Sequence, residues 1–322
     1  MTVLVTGGAG YIGSFMVKKL LDMGHTVVVL DSLEKGSKER VDSRATFRQG
    51  TLLDKAFVEQ VFTEFSFESV IHFAAYISVA ESMKDPQKYF INNVFGTQTL
   101  LDAMVKRNVK KIIFSSTAAV YGSPVKVPIP EDHPKNPESP YGESKLMVEQ
   151  ILKWYQKIHG LRFVALRYFN ASGAALDGSM GESHSPETHI IPCAIEAIRN
   201  NKTFTLFGND YKTADGSCVR DYIHVLDLVE AHLLALSKIE KEEGGTIYNV
   251  GTGKGYSNLE VWEMVKKVSG TNSELSIETR RPGDPDELVA DVALIKEELG
   301  FSAQYSDLQT IVESAWKWHN KS

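Results

Sequence analysis

Apolar and polar positions in the first half of the chain follow two alternating periods. Short β-branched runs at residues 2–6, 26–31, 69–74, 111–115 and 162–168 read as strands. Amphipathic stretches at 12–23, 55–65, 86–106 and 141–159 read as helices. In the last stretch Leu146, Val148, Ile151, Leu152 and Tyr155 recur at helical spacing. This β-α-β repetition predicts a doubly wound α/β fold, a parallel sheet with helices on both faces. Ligands of such sheets sit beyond the carboxyl ends of the strands.

Proline and glycine interrupt the pattern twice. Residues 124–140 hold six prolines and read as a loop ahead of the helix that starts at Tyr141. Residues 171–185 are rich in Gly, Ala and Ser and read as a loop, either a connector or one that encloses a ligand. Beyond it the pattern predicts helix 190–199, strand 204–207, helix 225–236, strand 246–250 and helices to the end. The expected division is a sheet domain over 1–170 and a smaller C-terminal lobe over 171–322.

Composition narrows the function classes. With 322 residues, 43% apolar and 24% charged, the chain resembles an ordinary globular protein with a large core. A net charge of −6 gives no electrostatic case for nucleic-acid or anionic-membrane partners. No apolar run approaches the roughly 18 residues of a membrane span. The first strand begins at Thr2, so no secretory leader is expected. Cys193 and Cys218 form no CxxC and no Cys/His cluster, which reads as free thiols in a reducing compartment and no metal site. The expected location is cytoplasmic.

Two local patterns carry chemistry. Gly7, Gly10 and Gly13 lie between a strand and a helix, with Gly8 also in the spacing of a GxGxxG loop. Such a loop needs a tight turn and backbone free of Cβ atoms where a dinucleotide pyrophosphate meets helix amides. Asp31 ends the second strand, where a carboxylate binds both ribose hydroxyls and repels a 2′-phosphate. This favours NAD over NADP, although Lys35 and Lys38 are nearby. Tyr141 and Lys145 stand one helical turn apart. A free phenol ionises near pH ~10, and a neighbouring ammonium favours the phenolate. Ser115, Ser116 and Thr117 close the fourth strand, and the Thr117 hydroxyl suits a hydrogen bond to a reacting oxygen.

With these residues in place, the chain resembles the extended short-chain dehydrogenase/reductase family, which has a Rossmann-type sheet, and within it the nucleotide-sugar 4-epimerases. The resemblance runs almost end to end. It is carried by VTGGAGYIGS at 5–14, HFAA at 72–75, NNVFGT at 92–97, FSSTAAVYG at 114–122, SPYGESK at 139–145 and LRYFNA at 166–171. Its most specific parts are FGNDY at 207–211 with Asp215, VRDYIHV at 219–225 and RRPGD at 280–284.

The resemblance implies an NAD-dependent isomerase that inverts C4 of a UDP-hexose (UDP-glucose or UDP-galactose) through a transient 4-keto sugar. It makes Tyr141 the base and acid, Thr117 its partner, and Lys145 also a grip on the nicotinamide ribose. Around the NAD it places Gly7, Gly10, Tyr11, Ile12, Gly13, Asp31, Ser32, Leu33, Glu34, Lys35, Gly36, Thr51 and Leu52. To these it adds Phe73, Ala74, Ala75, Tyr76, Ile77, Asn92, Ser115 and Phe169. Around the UDP-sugar it places Asn170, His189, Ile190, Phe207, Arg220, Tyr222, Arg281 and Asp284. The UDP-sugar lobe then becomes mainly 171–222 and 251–322, with 223–250 returning to the dinucleotide domain. By the same resemblance, helices 86–106 and 141–159 form a homodimer interface; from the sequence pattern alone their apolar faces suit internal core equally.

Three positions depart from the family's frequent pattern. Thr51 replaces an Asp that contacts the adenine amino group, and Ile77 replaces a Lys near the cofactor phosphates. Leu288 stands near a position that tunes room for an N-acetyl group. Sugar 4,6-dehydratases and UDP-glucuronate decarboxylases of this fold carry polar or acidic residues after the threonine. Here Ala118 and Ala119 offer no titratable group. 4-Epimerases of UDP-N-acetylhexosamine, UDP-glucuronate or UDP-pentoses stay open. An NAD-binding regulator without activity is the other class, and the intact Tyr141, Lys145 and Thr117 argue against it. His72, His189 and His224 read as structural, with His189 at most lining the uridine. Trp154, Trp262, Trp316 and Trp318 read as packing.

Overall fold

A computed structural model describes residues 1–183, 187–281 and 284–321. The chain forms two compact units, one of residues 1–122, 135–167 and 231–248, the other of residues 123–134, 168–230 and 249–322. The loop expected at 171–185 falls partly outside the described residues.

The first unit opens with β1 (Thr2–Thr6), α1 (Tyr11–Asp22), β2 (Thr26–Asp31), β3 (Thr46–Gln49), α2 (Lys55–Glu64) and β4 (Ser69–His72). It continues with α3 (Val79–Ser82), α4 (Pro86–Tyr89), a π-helical turn (Phe90–Phe95), α5 (Gly96–Lys106), β5 (Lys111–Thr117), α6 (Pro140–His159) and β6 (Arg162–Tyr168). Among the described residues the sheet has seven strands in the order β3-β2-β1-β4-β5-β6 followed by residues Gly245–Val250, with β1 to β5 paired in parallel. The strands read as continuous apolar runs because both faces are covered. Val3, Leu4, Val5, Val28 and Val29 are fully buried. The chain runs outward from β1 to β3, then returns to β4 on the other side of β1. That reversal opens a crevice at the strands' carboxyl ends, the place where doubly wound sheets bind ligands.

Local chemistry sets the start of α6. The Ser139 hydroxyl accepts from the Gly142 amide at 3.2 Å, Pro140 occupies the first turn, and Gly160 closes the helix at φ 64°. Tyr141 therefore lies in the first turn, at the sheet's functional edge.

Three differences from the sequence pattern stand out. β3 is an edge strand, Thr-Phe-Arg-Gln, half-buried at its first three residues and exposed at Gln49, so it lacks the apolar run of its neighbours. The helix expected over 86–106 is broken by the π-helical turn. Trp154 does not pack inside its own unit; it is 59% exposed.

The second unit comprises β7 (Asn170–Ser172), α7 (Ile190–Arg199), β8 (Phe204–Phe207), β9 (Val219–His224) and the start of α8 (Val225–Lys241). After β10 (Gly245–Val250) come β11 (Gly255–Ser257), α9 (Asn258–Ser269), β12 (Leu275–Glu278), β13 (Glu287–Leu288), α10 (Ala293–Leu299) and α11 (Leu308–His319). β9 is its hub, pairing with β11, β13 and β7. Helices α7, α9 and α11 close a second core around Trp262, which stacks on Phe204 at 4.8 Å between centroids. No described helix is long and apolar enough to cross a membrane.

Candidate active site

In the first unit, nearly all the residues expected around a dinucleotide follow the carboxyl ends of β1 to β5. Gly7 turns at φ 73°, and a Cβ there would lie 2.6 Å from the Ala74 backbone nitrogen. A Cβ on Gly13 would overlap the Gly7 carbonyl oxygen. The loop, α1 and the segment after β4 can approach this closely only without side chains. Gly10, the cap of α1, gives no side-chain hydrogen bond, and the first turn holds no acid. The helix N-terminus therefore favours an anion. The Asp31 carboxylate accepts from Ala9 N at 3.0 Å and Leu33 N at 2.8 Å. Desolvation raises its pKa, and the two amides oppose that rise. Leu33 is held at φ 64°, unusual for a leucine, by that bond to Asp31. These features form a cradle that fits NAD.

The rest of this edge is assembled from three loops. Ser32 to Gly36 folds back so that a Gly36 Cβ would lie 2.9 Å from Ala9. Thr51 accepts from Leu53 N at 3.2 Å, while Leu52 is buried in the core. Phe73, Ala74, Ala75 and Tyr76 are half-buried and Ile77 is exposed. The Tyr76 hydroxyl donates to Glu34. Half-buried Asn92 lies in the π-helical turn and donates to Asn93 at 3.0 Å. Lys35 is exposed, and Tyr11 and Ile12 open α1. Phe169 differs from the others in belonging to the second unit.

The Thr117 hydroxyl lies beside the Tyr141 phenol and favours its ionised form. The Thr117 oxygen itself accepts from Ala119 N at 3.1 Å, which leaves its proton for the phenol oxygen. Gly142 lets the first turn of α6 lie against the Ala119 carbonyl, where a Cβ would collide. Lys145 is buried and donates to the Ser115 carbonyl at 2.7 Å, with its ammonium 4.9 Å from the Phe114 ring centre. Desolvation pushes the phenol pKa up, opposed by the Thr117 hydroxyl. It also brings Lys145 down to about 7. Burial thus outweighs the attraction that the sequence spacing implied, and both groups lean toward their neutral forms.

A framework behind this site was absent from the sequence reading. The buried Glu149 on α6 binds Arg167 on β6 bidentately and accepts from Ser116 at 2.6 Å, while Arg167 donates to the Tyr121 hydroxyl at 2.7 Å. Asn93 is also new. The stripe Asn93, Thr97, Leu100 and Met104 runs along the core face, so its buried polar members were the available signal.

The second unit gathers the residues expected around a UDP-sugar. Arg220 donates to Asp284 and to the Pro285 carbonyl, at 3.0 Å for the latter, while the Tyr211 hydroxyl reaches Asp284 at 3.2 Å. The Arg281 guanidinium lies 4.1 Å over the Phe207 ring and is exposed. Asn170 stands opposite Tyr222 in the β7–β9 register. Tyr222 is a core residue, 2% exposed, whose hydroxyl donates to Asn258 at 3.2 Å. His189 caps α7 and pairs with Glu187 at 2.8 Å; Ile190 begins that helix and packs on the core. Asp221, between Arg220 and Tyr222, accepts from Thr252, Gly253 and Ala290 amides and ties three segments together. His224 is buried between Gly173 and Ser314, and burial lowers its pKa to about 4.

A phosphate-cradling glycine loop and a Tyr-x-x-x-Lys pair on one edge of a doubly wound sheet define a class of dinucleotide-dependent enzyme. A sequence profile of the NAD dependent epimerase/dehydratase family matches residues 3–251, and the chain belongs to that family. It is 49% identical over 320 residues to the UDP-glucose 4-epimerase of Lacticaseibacillus casei, covering 99% of this chain and 97% of that protein. The crystal structure of UDP-glucose 4-epimerase from Brucella ovis in complex with NAD superposes with a TM-score of 0.94 at 46% identity, over 98% of this chain and 97% of that one. The Bifidobacterium longum enzyme, in complex with NAD+ and UDP, gives a TM-score of 0.94 at 39% identity, over 100% and 98%.

Proposed function

We propose that the protein is an NAD-dependent epimerase that inverts C4 of a UDP-hexose, interconverting UDP-glucose and UDP-galactose. The observation that carries this reading is Tyr141 in the first turn of α6, with Thr117 beside it and buried Lys145 one turn on, at the same sheet edge as the glycine cradle. The likeness to UDP-glucose 4-epimerases over nearly the whole chain supports it.

Tyr141 takes the proton of the sugar 4-hydroxyl and returns it after inversion. Thr117, with its oxygen pinned by Ala119, directs its own proton to the reacting oxygen. When bound, NAD would supply the hydride acceptor and donor for C4. Desolvation keeps Tyr141 protonated in the empty protein, so the phenolate forms only where positive charge is supplied. Lys145, held by the Ser115 carbonyl, provides part of that charge when protonated. Arg220 and Arg281 hold the diphosphate, a task suited to guanidinium forks, while the 4-keto sugar turns over. The glycine cradle, Asp31 and the loops after β2 and β4 hold the cofactor.

The protein acts as a cytoplasmic homodimer. Two free thiols fit a reducing compartment. On α6, Met147, Ile151, Trp154 and Ile158 form one stripe, with Ile158 65% exposed, and Phe95 on the π-helical turn is 54% exposed. Such an apolar face suits a second copy of the chain. Sedimentation of Trp154→Glu should show monomers.

The test of activity is incubation with UDP-galactose without added NAD, followed by proton NMR. Conversion to UDP-glucose is expected; no conversion, with NAD added or not, overturns the reading.

A further inference from the structure

Five buried polar residues of the first unit, linked at Asn93 through its backbone carbonyl, form one hydrogen-bonded chain from the glycine loop to the catalytic helix. Thr6, the last residue of β1, meets His72 Nδ1 at 2.6 Å. His72 Nε2 meets Thr97 Oγ1 at 2.8 Å. Thr97 Oγ1 donates to the Asn93 carbonyl at 2.5 Å. The Asn93 side chain receives Tyr76 N at 2.9 Å and donates to Tyr76 O at 3.0 Å and Ser144 Oγ at 3.1 Å. Ser144 donates to the Tyr141 carbonyl at 2.7 Å. None of the five is more than 2% exposed.

The polarity of this chain is determined throughout. The Tyr76 amide can only donate and its carbonyl only accept, so the Asn93 amide has one permitted orientation. The Asn93 carbonyl can only accept, so it takes the Thr97 proton. Thr97 then accepts from His72 Nε2, which must carry the imidazole proton. Nδ1 is left as acceptor for the Thr6 hydroxyl. Reversing Thr97 would leave its oxygen 2.5 Å from the Asn93 carbonyl oxygen with no proton between them. Burial, with Lys145 as a lesser cause, lowers the His72 pKa to about 3, in keeping with a neutral ring.

We propose that His72, Thr97 and Asn93 are positioning residues that fix the distance between the dinucleotide cradle and Tyr141. The inference rests on the epimerase reading for its kinetic consequence. Thr6 precedes the Gly7 turn, Tyr76 belongs to the cofactor edge, and Ser144 lies between Tyr141 and Lys145. Hydride leaves C4 and the proton leaves the oxygen bonded to it, so their two acceptors must hold one separation. The chain joins the elements that carry them.

The direct test is nitrogen-15 NMR of the His72 imidazole in the full-length protein. An Nε2–H tautomer, unchanged from about pH 8 to about pH 5, is expected. An Nδ1–H ring, or a ring that titrates in that window, overturns the proposal. The kinetic arm compares Thr97→Val and Thr97→Ser well below their melting temperatures. The valine variant should lose about tenfold or more in kcat, with KM for UDP-galactose and NAD content unchanged. The serine variant, which keeps the hydroxyl, should recover that turnover. Wild-type kcat in Thr97→Val, with only a lowered Tm, would show a merely structural role. If wild type itself does not epimerise, the activity reading fails while the tautomer still decides the hydrogen-bond chain.

Discussion

Glu149 and Arg167 form a bidentate ion pair inside the first unit, at 2.9 Å and 2.6 Å, with side chains only 1% and 2% exposed. Removing one partner leaves a buried charge unpaired, at about 3–5 kcal/mol. Arg167→Met should therefore lower Tm strongly, and Glu149→Leu added to it should restore much of the loss. A double variant no more stable than the single one would contradict this. Because Ser116 also leans on Glu149, next to Thr117, the stabilised double variant should still turn over slowly.

Tyr141→Phe removes the proton carrier and keeps the ring, whose edge faces Tyr89 at 6.4 Å between centroids. Turnover should fall by about 100-fold or more, with Tm and NAD content near wild type. Epimerisation at the wild-type rate would remove Tyr141 from the chemistry.

Lys145 gives the protein without cofactor a pH signature. Its pKa is about 7 when folded, against roughly 10.4 unfolded. Between these values the unfolded chain binds a proton that the folded chain does not, so stability rises with pH across that window. The penalty is complete below about pH 7. Lys145→Met should raise the Tm of NAD-free protein near neutrality, with an advantage that shrinks toward pH 10. A pH-independent difference in Tm would refute this assignment.

Two glycine substitutions should separate cofactor binding from chemistry. Gly7→Ala forces a Cβ to 2.6 Å from the Ala74 backbone at φ 73°, so purified protein should carry little NAD. Gly142→Ala presses on the Ala119 carbonyl and displaces Tyr141 from Thr117, so NAD should be retained while kcat falls. Absorbance of released cofactor together with steady-state rates checks both. Normal NAD content in Gly7→Ala would show that the loop relaxes.

Local patterns were the legible part of this molecule. β1 and β2 announce themselves as apolar runs because both faces are buried, and the glycine loop and the Tyr141–Lys145 spacing each lie within a few residues. β9 was illegible for an opposite reason. Its Arg220 and Asp221 are charged yet buried, one matched by Asp284 and the other by amides distant in sequence, so no apolar alternation marks it as a strand. The partners of His72 at Thr6 and Thr97 are equally remote in sequence. The stripe through 86–106 reads as one helix, and nothing in its periodicity reveals the additional residue of the π-helical turn.

That additional residue makes chain length itself a constraint. Successive residues of an α-helix are rotated by about 100°. Deleting one residue from Phe90–Phe95 would let α4 and α5 merge into an uninterrupted helix while swinging one end against the other by that angle. Tyr89 before the turn and Thr97 after it could not then both face their partners, even with every remaining side chain unchanged. A lineage carrying this protein should tolerate many substitutions between Pro86 and Lys106, yet be intolerant of gaining or losing a single codon there.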